Sequence, residues 1–334
     1  MEPYADVVDA YRDFARDVGT DSPTFSAWAE AVAADAEVLA WIGTLPGIKQ
    51  QPNLVFAAAR WHGVPAPGPY QGLREALLAD GVDGPIRATI LSRATQTNEV
   101  GRLATLVPAF GRIAADQADP ARPLALLEVG ASAGLCLYPE RWGYAWHTDE
   151  GDVLLGEEPR LACRVKGPAP LPARIPEVGW RGGIDLHPLD VADADQMGWL
   201  EQLIWPEHEE RRTRLRQAVR VARADPPQLV AGDLLTELPA VVERAAAHGT
   251  VIVFHSAVIA YLTPDDRQRF DRLVRGLVAD GACHWVSNES KRVLPSVTAT
   301  GPEIPEQKPT FVLGIDGRAV AHTHGHGRSM RWFG

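Results

Sequence analysis

The sequence has few cysteines, no excess of positive charge and no long hydrophobic run. Three of its 334 residues are cysteine. Cys136, Cys163 and Cys283 are widely spaced and form no C-x-x-C pair, which argues against a disulfide framework and against a thiolate zinc site. Such cysteine usage is typical of a reducing compartment, and we expect a cytoplasmic protein.

Charge and hydropathy argue against two further classes of partner. The formal net charge is −10 at pH 7, whereas nucleic acids and anionic membranes require a basic surface. The longest apolar run, Thr250 to Leu262, is too short to cross a bilayer. Met1 to Asp6 is neither basic nor apolar, so no signal peptide is expected. We therefore expect a small-molecule partner, no nucleic acid and no membrane, with the oligomeric state left open.

Local patterns divide the chain into two regions. A helix is predicted early in the chain by four apolar residues at helical spacing behind an N-cap serine and a first-turn proline: Ser22, Pro23, Phe25, Trp28, Ala29 and Val32. Residues 118–123 are rich in turn formers and predict a boundary. We expect an N-terminal helical cap over 1–120 and an α/β domain over 121–334.

The most informative motif is an apolar strand, Leu124 to Val129, that carries the acid Glu128 near its end. It runs into a loop of small residues: Gly130, Ala131, Ser132, Ala133 and Gly134. Small residues let backbone N–H groups approach a ligand closely, and an acid at a strand end can accept hydrogen bonds from it. The same letters fit the G-x-S-x-G nucleophile elbow, so a serine hydrolase using Ser132 is an alternative.

Three later apolar segments also end in polar residues. Asp185 follows Gly182-Gly-Ile, Asp233 follows Leu229-Val-Ala-Gly, and Thr250-Val-Ile-Val leads into Phe254 and His255. The carboxyl ends of parallel strands meet at one edge of a sheet, so these side chains are expected to line one crevice. A final hairpin is predicted from Phe311 through Asp316-Gly317 to His322.

These motifs together resemble the class I S-adenosylmethionine-dependent methyltransferases over roughly residues 124–290. The resemblance implies a Rossmann-like sheet with bound S-adenosylmethionine, in which Asp185 contacts the ribose and Asp233 the adenine edge. The remaining cofactor-binding positions that it implies are Glu128, Gly130, Ala131, Ser132, Gly134 and Phe254.

Two features depart from the methyltransferase pattern. Ser132 stands where the middle glycine is usual, and Glu128 and Asp185 are 57 positions apart, where a strand-helix-strand unit brings the next acid in about 20. Residues 141–180 are therefore predicted to be an insertion after the first βα unit. We expect it to form short strands or an Ω-like cover over the ligand mouth.

A second resemblance covers nearly the whole chain. The segments Gln96-Thr-Asn-Glu99, Gly183-Ile-Asp-Leu-His-Pro-Leu-Asp190 and Val253-Phe-His-Ser256 resemble an uncharacterised family of bacterial proteins, the domain of unknown function DUF2332. This family implies no activity. The resemblance places Gln96, Asn98 and Glu99 toward the ligand, whereas helix capping is the structural alternative for these residues.

His255 is the candidate catalytic residue, because imidazole exchanges protons near neutral pH and this one ends a predicted strand. Its structural alternative is a core histidine satisfied by the backbone. With Phe254 and Tyr261 it is expected to border a cavity that leads from the 130–134 loop to Gln96 and Asn98. The expected function is a methyltransferase of unknown acceptor; the alternative in another class is a non-catalytic adenosyl-ligand binder.

No metal site is expected from the sequence. His322, His324 and His326 alternate, so an extended strand would place all three imidazoles on one face. No acid stands at a matching spacing to complete a ligand set.

Overall fold

The computed structural model describes residues 6–119 and 121–334. Two sequence predictions touch positions outside this range. Residues 1–5, which were expected to lack a signal peptide, lie outside the described residues. So does Pro120, which ends the predicted helical cap.

Helices are the main secondary structure before Leu124 and recur through the rest of the chain. In chain order they are α1 (Val7–Val18), α2 (Pro23–Ala34), α3 (Ala36–Gly43), α4 (Pro52–Trp61), α5 (Tyr70–Ala79), α6 (Pro85–Ser92), α7 (Leu103–Ala115), α8 (Ala194–Leu203), α9 (Glu209–Ala224), α10 (Leu234–Ala246), α11 (Pro264–Ala279) and α12 (Pro295–Thr298). Helix α2 forms as predicted: the Ser22 hydroxyl accepts from the Phe25 N–H, Pro23 opens the first turn, and the four apolar residues are buried.

The strands all belong to one sheet. They are β1 (Leu124–Val129), β2 (Gly143–Thr148), β3 (Gly151–Leu155), β4 (Arg160–Lys166), β5 (Val178–Asp185), β6 (Gln228–Ala231), β7 (Thr250–Ser256), β8 (His284–Ser290), β9 (Phe311–Ile315), β10 (Arg318–Thr323) and β11 (Ser329–Trp332). Their order is β3-β2-β4-β11-β10-β9-β8-β7-β1-β5-β6.

The sheet combines a parallel part with an antiparallel part. Strands β6, β5, β1, β7 and β8 are parallel neighbours. Strands β8 to β11 then alternate in direction, and the predicted hairpin of β9 and β10 is confirmed. The protein is therefore a mixed α/β protein with a large, mostly parallel sheet.

The segment between β1 and β5 differs from its prediction in two ways. It contains the expected short strands β2, β3 and β4, but these extend the sheet beyond β11 instead of forming a cover. No α-helix follows β1 among the described residues 130–178, since only two single 3-10 turns precede β2. The insertion thus does not follow a βα unit. Gly134 has a left-handed φ of +69°, which turns the chain into the first of these turns.

The chain divides into two compact units. The helical unit holds the described residues up to Thr97 together with Ala192–Gln217, and the sheet unit holds the described residues of Asn98–Val191 together with Ala218–Gly334. The sequence analysis placed its boundary at 120/121 instead. The difference arises because α7 packs against β2, β4 and β8 of the sheet, and because α8 packs against α4 of the helical unit.

Helices cover the sheet on both faces, so the side chains of each strand point alternately to one helix layer or the other. Leu127 and Val253 belong to a core with α10 and α11 on one face. Side chains alternate along a strand, so Glu128 and Phe254 point to the opposite face. There the Phe254 ring contacts Phe110 of α7 at a centroid distance of 5.3 Å.

Candidate functional site

The predicted site residues of β1, β5 and β7 lie at one edge of the sheet. Glu128 pairs in register with Gly183 of β5 and with Phe254 of β7, so its carboxylate stands between the ends of two parallel strands. Chain order along the sheet reverses at β1, which is followed on one side by β5 and on the other by β7. Ligands of open α/β sheets bind outside the strand ends at such a reversal.

Glu128 is a buried acid with an unused oxygen. Its exposed fraction is 6%, and Oε2 has no hydrogen-bond partner. Burial raises the pKa of the Glu128 carboxyl well above its usual range, the Arg102 charge and a hydrogen bond with Cys136 oppose this shift, and the Asp185 charge adds to it. The carboxyl therefore lies next to one cation, one acid and the Cys136 thiol, and its Oε2 has capacity left to accept a hydrogen bond.

Arg102 is a charged residue near Glu128 that the sequence analysis missed. It is buried, and its guanidinium donates from Nη1 to the Ser256 carbonyl at 3.0 Å and from Nε to the Gly325 carbonyl at 2.9 Å. Two carbonyl acceptors fix its orientation, so its charge stays on the face of the sheet that carries Glu128.

The loop after β1 uses all of its backbone donors internally. The N–H groups of residues 130 and 131 donate to the Ile184 carbonyl at 2.8 and 3.1 Å, and the N–H of residue 134 donates to the residue 131 carbonyl at 2.7 Å. The Ser132 N–H donates to Asp185 Oδ2 at 2.8 Å. The two remaining donors, the N–H groups of Ala133 and Leu135, donate to Asn98.

Asn98 binds the loop through both ends of its amide. Its Oδ1 accepts from the N–H groups of Ala133 and Leu135 at 3.2 and 3.1 Å, and its Nδ2 donates to the Ala131 carbonyl at 3.1 Å. Asn98 therefore contacts the backbone of the loop directly, and its predicted contact with a substrate stays a prediction. All three contacts are with backbone groups of the 130–135 loop, and none of them caps an α-helix.

This geometry argues against the hydrolase alternative. Ser132 has the left-handed φ of +52° that a nucleophile elbow favours, but its exposed fraction is only 2%. An elbow also needs the N–H of the following residue for its oxyanion hole. Here the Ala133 N–H already donates to Asn98.

The two later acids have different surroundings. Asp185 is half-buried; its Oδ2 accepts from the Ser132 N–H and its Oδ1 from the His187 N–H at 2.9 Å. It therefore ties the β1 loop to the end of β5. Asp233 caps α10, with Oδ1 accepting from the Leu235 N–H at 2.8 Å. Their contacts with ribose and adenine stay predictions.

His255 is fully buried on the α11 face, with an exposed fraction of 0%. Its Nε2 accepts from the Trp285 indole at 3.0 Å, and its Nδ1 lies 2.7 Å from Glu289 Oε1. An indole N–H only donates, so Nε2 carries no proton and Nδ1–H donates to Glu289. His255 does not border an opening here, and proton transfer at Nε2 would require the Trp285 contact to break.

Two charged residues not found from the sequence hold the loop after β7. Glu289 Oε1 accepts from the N–H groups of Val258 and Ile259 at 3.0 and 3.1 Å. Arg267 donates to the carbonyls of residues 259, 260 and 262 at 2.6 to 3.2 Å. The loop then meets the β1 loop, because a Cβ on Gly130 would lie 2.3 Å from Val258 Cγ1.

The remaining predicted residues are placed as follows. Phe254 is buried beneath Phe110, and Tyr261 is 39% exposed. Glu99 is buried and accepts from the Gly101 N–H at 2.9 Å, which is its predicted capping alternative. Gln96 belongs to the helical unit, so the structure of the sheet unit does not test its role.

The described residues contain neither a cluster of metal ligands nor a membrane-spanning helix. Residues 6–119 and 121–334 contain no group of three or more histidine, cysteine, aspartate or glutamate side chains that is arranged to hold a metal ion. Strand β10 ends at Thr323, so of the alternating histidines only His322 lies on it. Within the same residues, no helix is long and apolar enough to cross a membrane.

Comparison with known families identifies the chain. Residues 8–332 match the model of a family described as an uncharacterized protein conserved in bacteria, DUF2332. The match spans nearly the whole chain, so the protein belongs to this family, as the second resemblance predicted. No curated protein matches the sequence.

Proposed function

We propose that this protein is a methyltransferase that binds S-adenosylmethionine at the carboxyl ends of β1 and β5 and acts on a small-molecule acceptor. The observation that carries the proposal is the buried Glu128 carboxyl with its unpartnered Oε2. A buried polar atom without a partner is costly. A cationic ligand group would provide that partner, and S-adenosylmethionine carries an ammonium as well as a sulfonium.

The order of the parallel strands supports a Rossmann-like ligand site. Numbered along the chain, the parallel strands β6, β5, β1, β7 and β8 follow the order 3-2-1-4-5, which is the order of doubly wound nucleotide-binding sheets. The reversal at β1 supports a site beside Glu128 and the 130–134 loop. The missing helix after β1 and the serine at 132 are departures from the methyltransferase pattern.

The carboxylates and the loop at this site fit S-adenosylmethionine better than a dinucleotide. Glu128 would hold the ammonium, and Asp185, whose carboxylate lies at the end of β5 beside the 130–134 loop, would accept the ribose hydroxyls. Gly-rich loops bind pyrophosphate through free N–H groups. The N–H groups of residues 130–135 all have acceptors inside the protein, which supports a ligand without phosphate at this loop.

When bound, S-adenosylmethionine supplies a methyl group activated by its sulfonium. The protein's part in the transfer is to orient the ligand and the acceptor, because proximity lowers the barrier of a bimolecular step. Glu128 and Asp185 would fix the ligand from β1 and β5. We assign no proton transfer to His255, because both of its nitrogens are bound to Glu289 and Trp285.

The same burial of His255 favours a second candidate, a non-catalytic adenosyl-ligand binder. A binding protein needs the adenosyl site but no group that takes a proton from an acceptor. The two candidates differ in turnover. A methyltransferase converts S-adenosylmethionine to S-adenosylhomocysteine when it is given a pool of small-molecule acceptors, whereas a binder retains the ligand unchanged.

A thermal-shift series tests the shared claim of both candidates. S-adenosylmethionine and S-adenosylhomocysteine are each expected to stabilise the protein, by about 2.7 kcal/mol at a hundredfold excess over Kd. NAD, matched in concentration, is expected to give no shift. Stabilisation by NAD without stabilisation by either sulfur nucleoside would overturn the proposal. Labelling of Ser132 by a fluorophosphonate would favour the hydrolase.

A further inference from the structure

The β1 loop has the backbone shape of an anion site, yet a side chain of the protein fills it. Gly130, Ser132 and Gly134 all have left-handed φ values, +67°, +52° and +69°. Left-handed residues at alternate positions turn some N–H groups of a loop toward one point, which makes a concave site for an anion. In this protein the Asn98 Oδ1 stands at such a point, where it accepts from Ala133 and Leu135.

We propose that Asn98 is a specificity-determining residue that closes the 130–135 loop to phosphate groups. Its carboxamide oxygen takes the two N–H groups that a phosphate oxygen would otherwise bind. Its Nδ2 donates to the Ala131 carbonyl, and three contacts to one loop hold the amide in a single orientation. Asp185 takes the Ser132 N–H in the same way, so the loop keeps no free donor for an anion.

The consequence concerns which nucleotides the site admits. A nucleoside diphosphate or a dinucleotide would have to displace Asn98 and leave its amide unpaired, whereas a nucleoside with a cationic tail leaves these contacts intact. The inference rests on the proposed function for the identity of the ligand that is admitted. The exclusion of phosphate follows from the loop alone and is measurable without an adenosyl ligand.

Amide hydrogen exchange tests the contact itself. In Asn98→Ala, the Ala133 and Leu135 amides are expected to exchange about fivefold faster than in the wild type, because each loses its acceptor. Asn98→Asp keeps an accepting oxygen and should retain the protection. Gln117→Ala is the matched control, since the Gln117 amide also donates to a backbone carbonyl, that of Ile113. Unchanged exchange in folded Asn98→Ala overturns the proposal.

Calorimetric titration with pyrophosphate tests the specificity. Wild type, Asn98→Asp and Gln117→Ala are expected to show no pyrophosphate binding, whereas Asn98→Ala is expected to bind it with a Kd at least about tenfold below the weakest that the titration detects. Pyrophosphate binding to the wild-type loop, or none to Asn98→Ala despite faster exchange, overturns the proposal. If Asn98→Ala does not fold, Asn98→Ser carries the same test, since its hydroxyl is too short to reach both N–H groups.

Titration with S-adenosylhomocysteine separates this inference from the proposed function. The inference and the proposed function are both supported if Asn98→Ala binds pyrophosphate and the wild type binds S-adenosylhomocysteine. If the wild type does not bind S-adenosylhomocysteine while the exchange and pyrophosphate results hold, the proposed function fails and the assignment of Asn98 stands.

Discussion

Replacing Glu128 by glutamine should change how the stability of the protein depends on pH. Burial raises the pKa of this carboxyl well above its usual value of 4.5, so the folded protein keeps a proton that the unfolded chain has lost. Between the two pKa values the native state binds more protons, and the free energy of unfolding falls as pH rises. For one group the slope is at most about 1.4 kcal/mol per pH unit.

Glutamine has a similar shape and no proton to lose in this range. The free energy of unfolding of Glu128→Gln minus that of the wild type is therefore expected to grow from pH 5 upward, and to level off once the folded wild type ionises. His322, whose pKa is lowered by burial and by Lys308 and Arg331, changes stability in the opposite direction. The contribution of His322 to the free energy of unfolding is the same in both proteins and therefore cancels in the difference.

Urea unfolding at pH 5, 6, 7 and 8 measures this difference. The exposed Glu243 of α10 provides the matched substitution, and Glu243→Gln is expected to follow the wild-type pH profile. A Glu128→Gln profile parallel to the wild type across the whole range would refute the reasoning. It would mean that Glu128 ionises in the folded protein at its ordinary pKa.

Three further substitutions test neighbouring parts of the site. Asp185→Ala should lower the affinity for S-adenosylhomocysteine by about 1.5–3 kcal/mol for each charged hydrogen bond lost; equal calorimetric affinities would reassign Asp185 to tying the loop. Gly130→Ala should destabilise the fold by about 1–3 kcal/mol, because φ is +67° and the new Cβ meets Val258; Val258→Ala should restore part of the loss in urea unfolding. His255→Phe should destabilise by about 1–3 kcal/mol, because Glu289 loses a donor; undiminished stability with lost activity would support the catalytic role.

The strand-end acids were predictable because their positions depend on local pattern. An apolar run that ends in an acid gives a strand whose last side chain lies at the sheet edge, and Glu128 and Asp185 are found there. The cap of α2 was predictable for a similar reason, since Ser22 and Pro23 act within one turn. Asn98 was predicted to face the ligand, and in the structure its partners are backbone groups of the 130–135 loop.

Features that depend on distant partners were not predictable. The short strands β2 to β4 were predicted correctly from the sequence. Their place beside β11 was not, because it depends on pairing with residues more than 150 positions away. Arg102 and Glu289 gave no signal, because each acts by binding backbone groups of another loop. His255 lies one residue before the end of its strand, close to where it was expected, yet Trp285 of the neighbouring strand determines its tautomer.

The most direct test of the proposed site is isothermal titration of the wild type and of Glu128→Gln with S-adenosylhomocysteine at neutral pH. We predict binding at one site per chain in the wild type, and an affinity at least about tenfold lower in Glu128→Gln, since the ammonium favours ionisation of the Glu128 carboxyl and glutamine cannot supply that negative charge. Absence of binding to the wild type would contradict the account. Equal affinities of the two proteins would contradict the role given to Glu128.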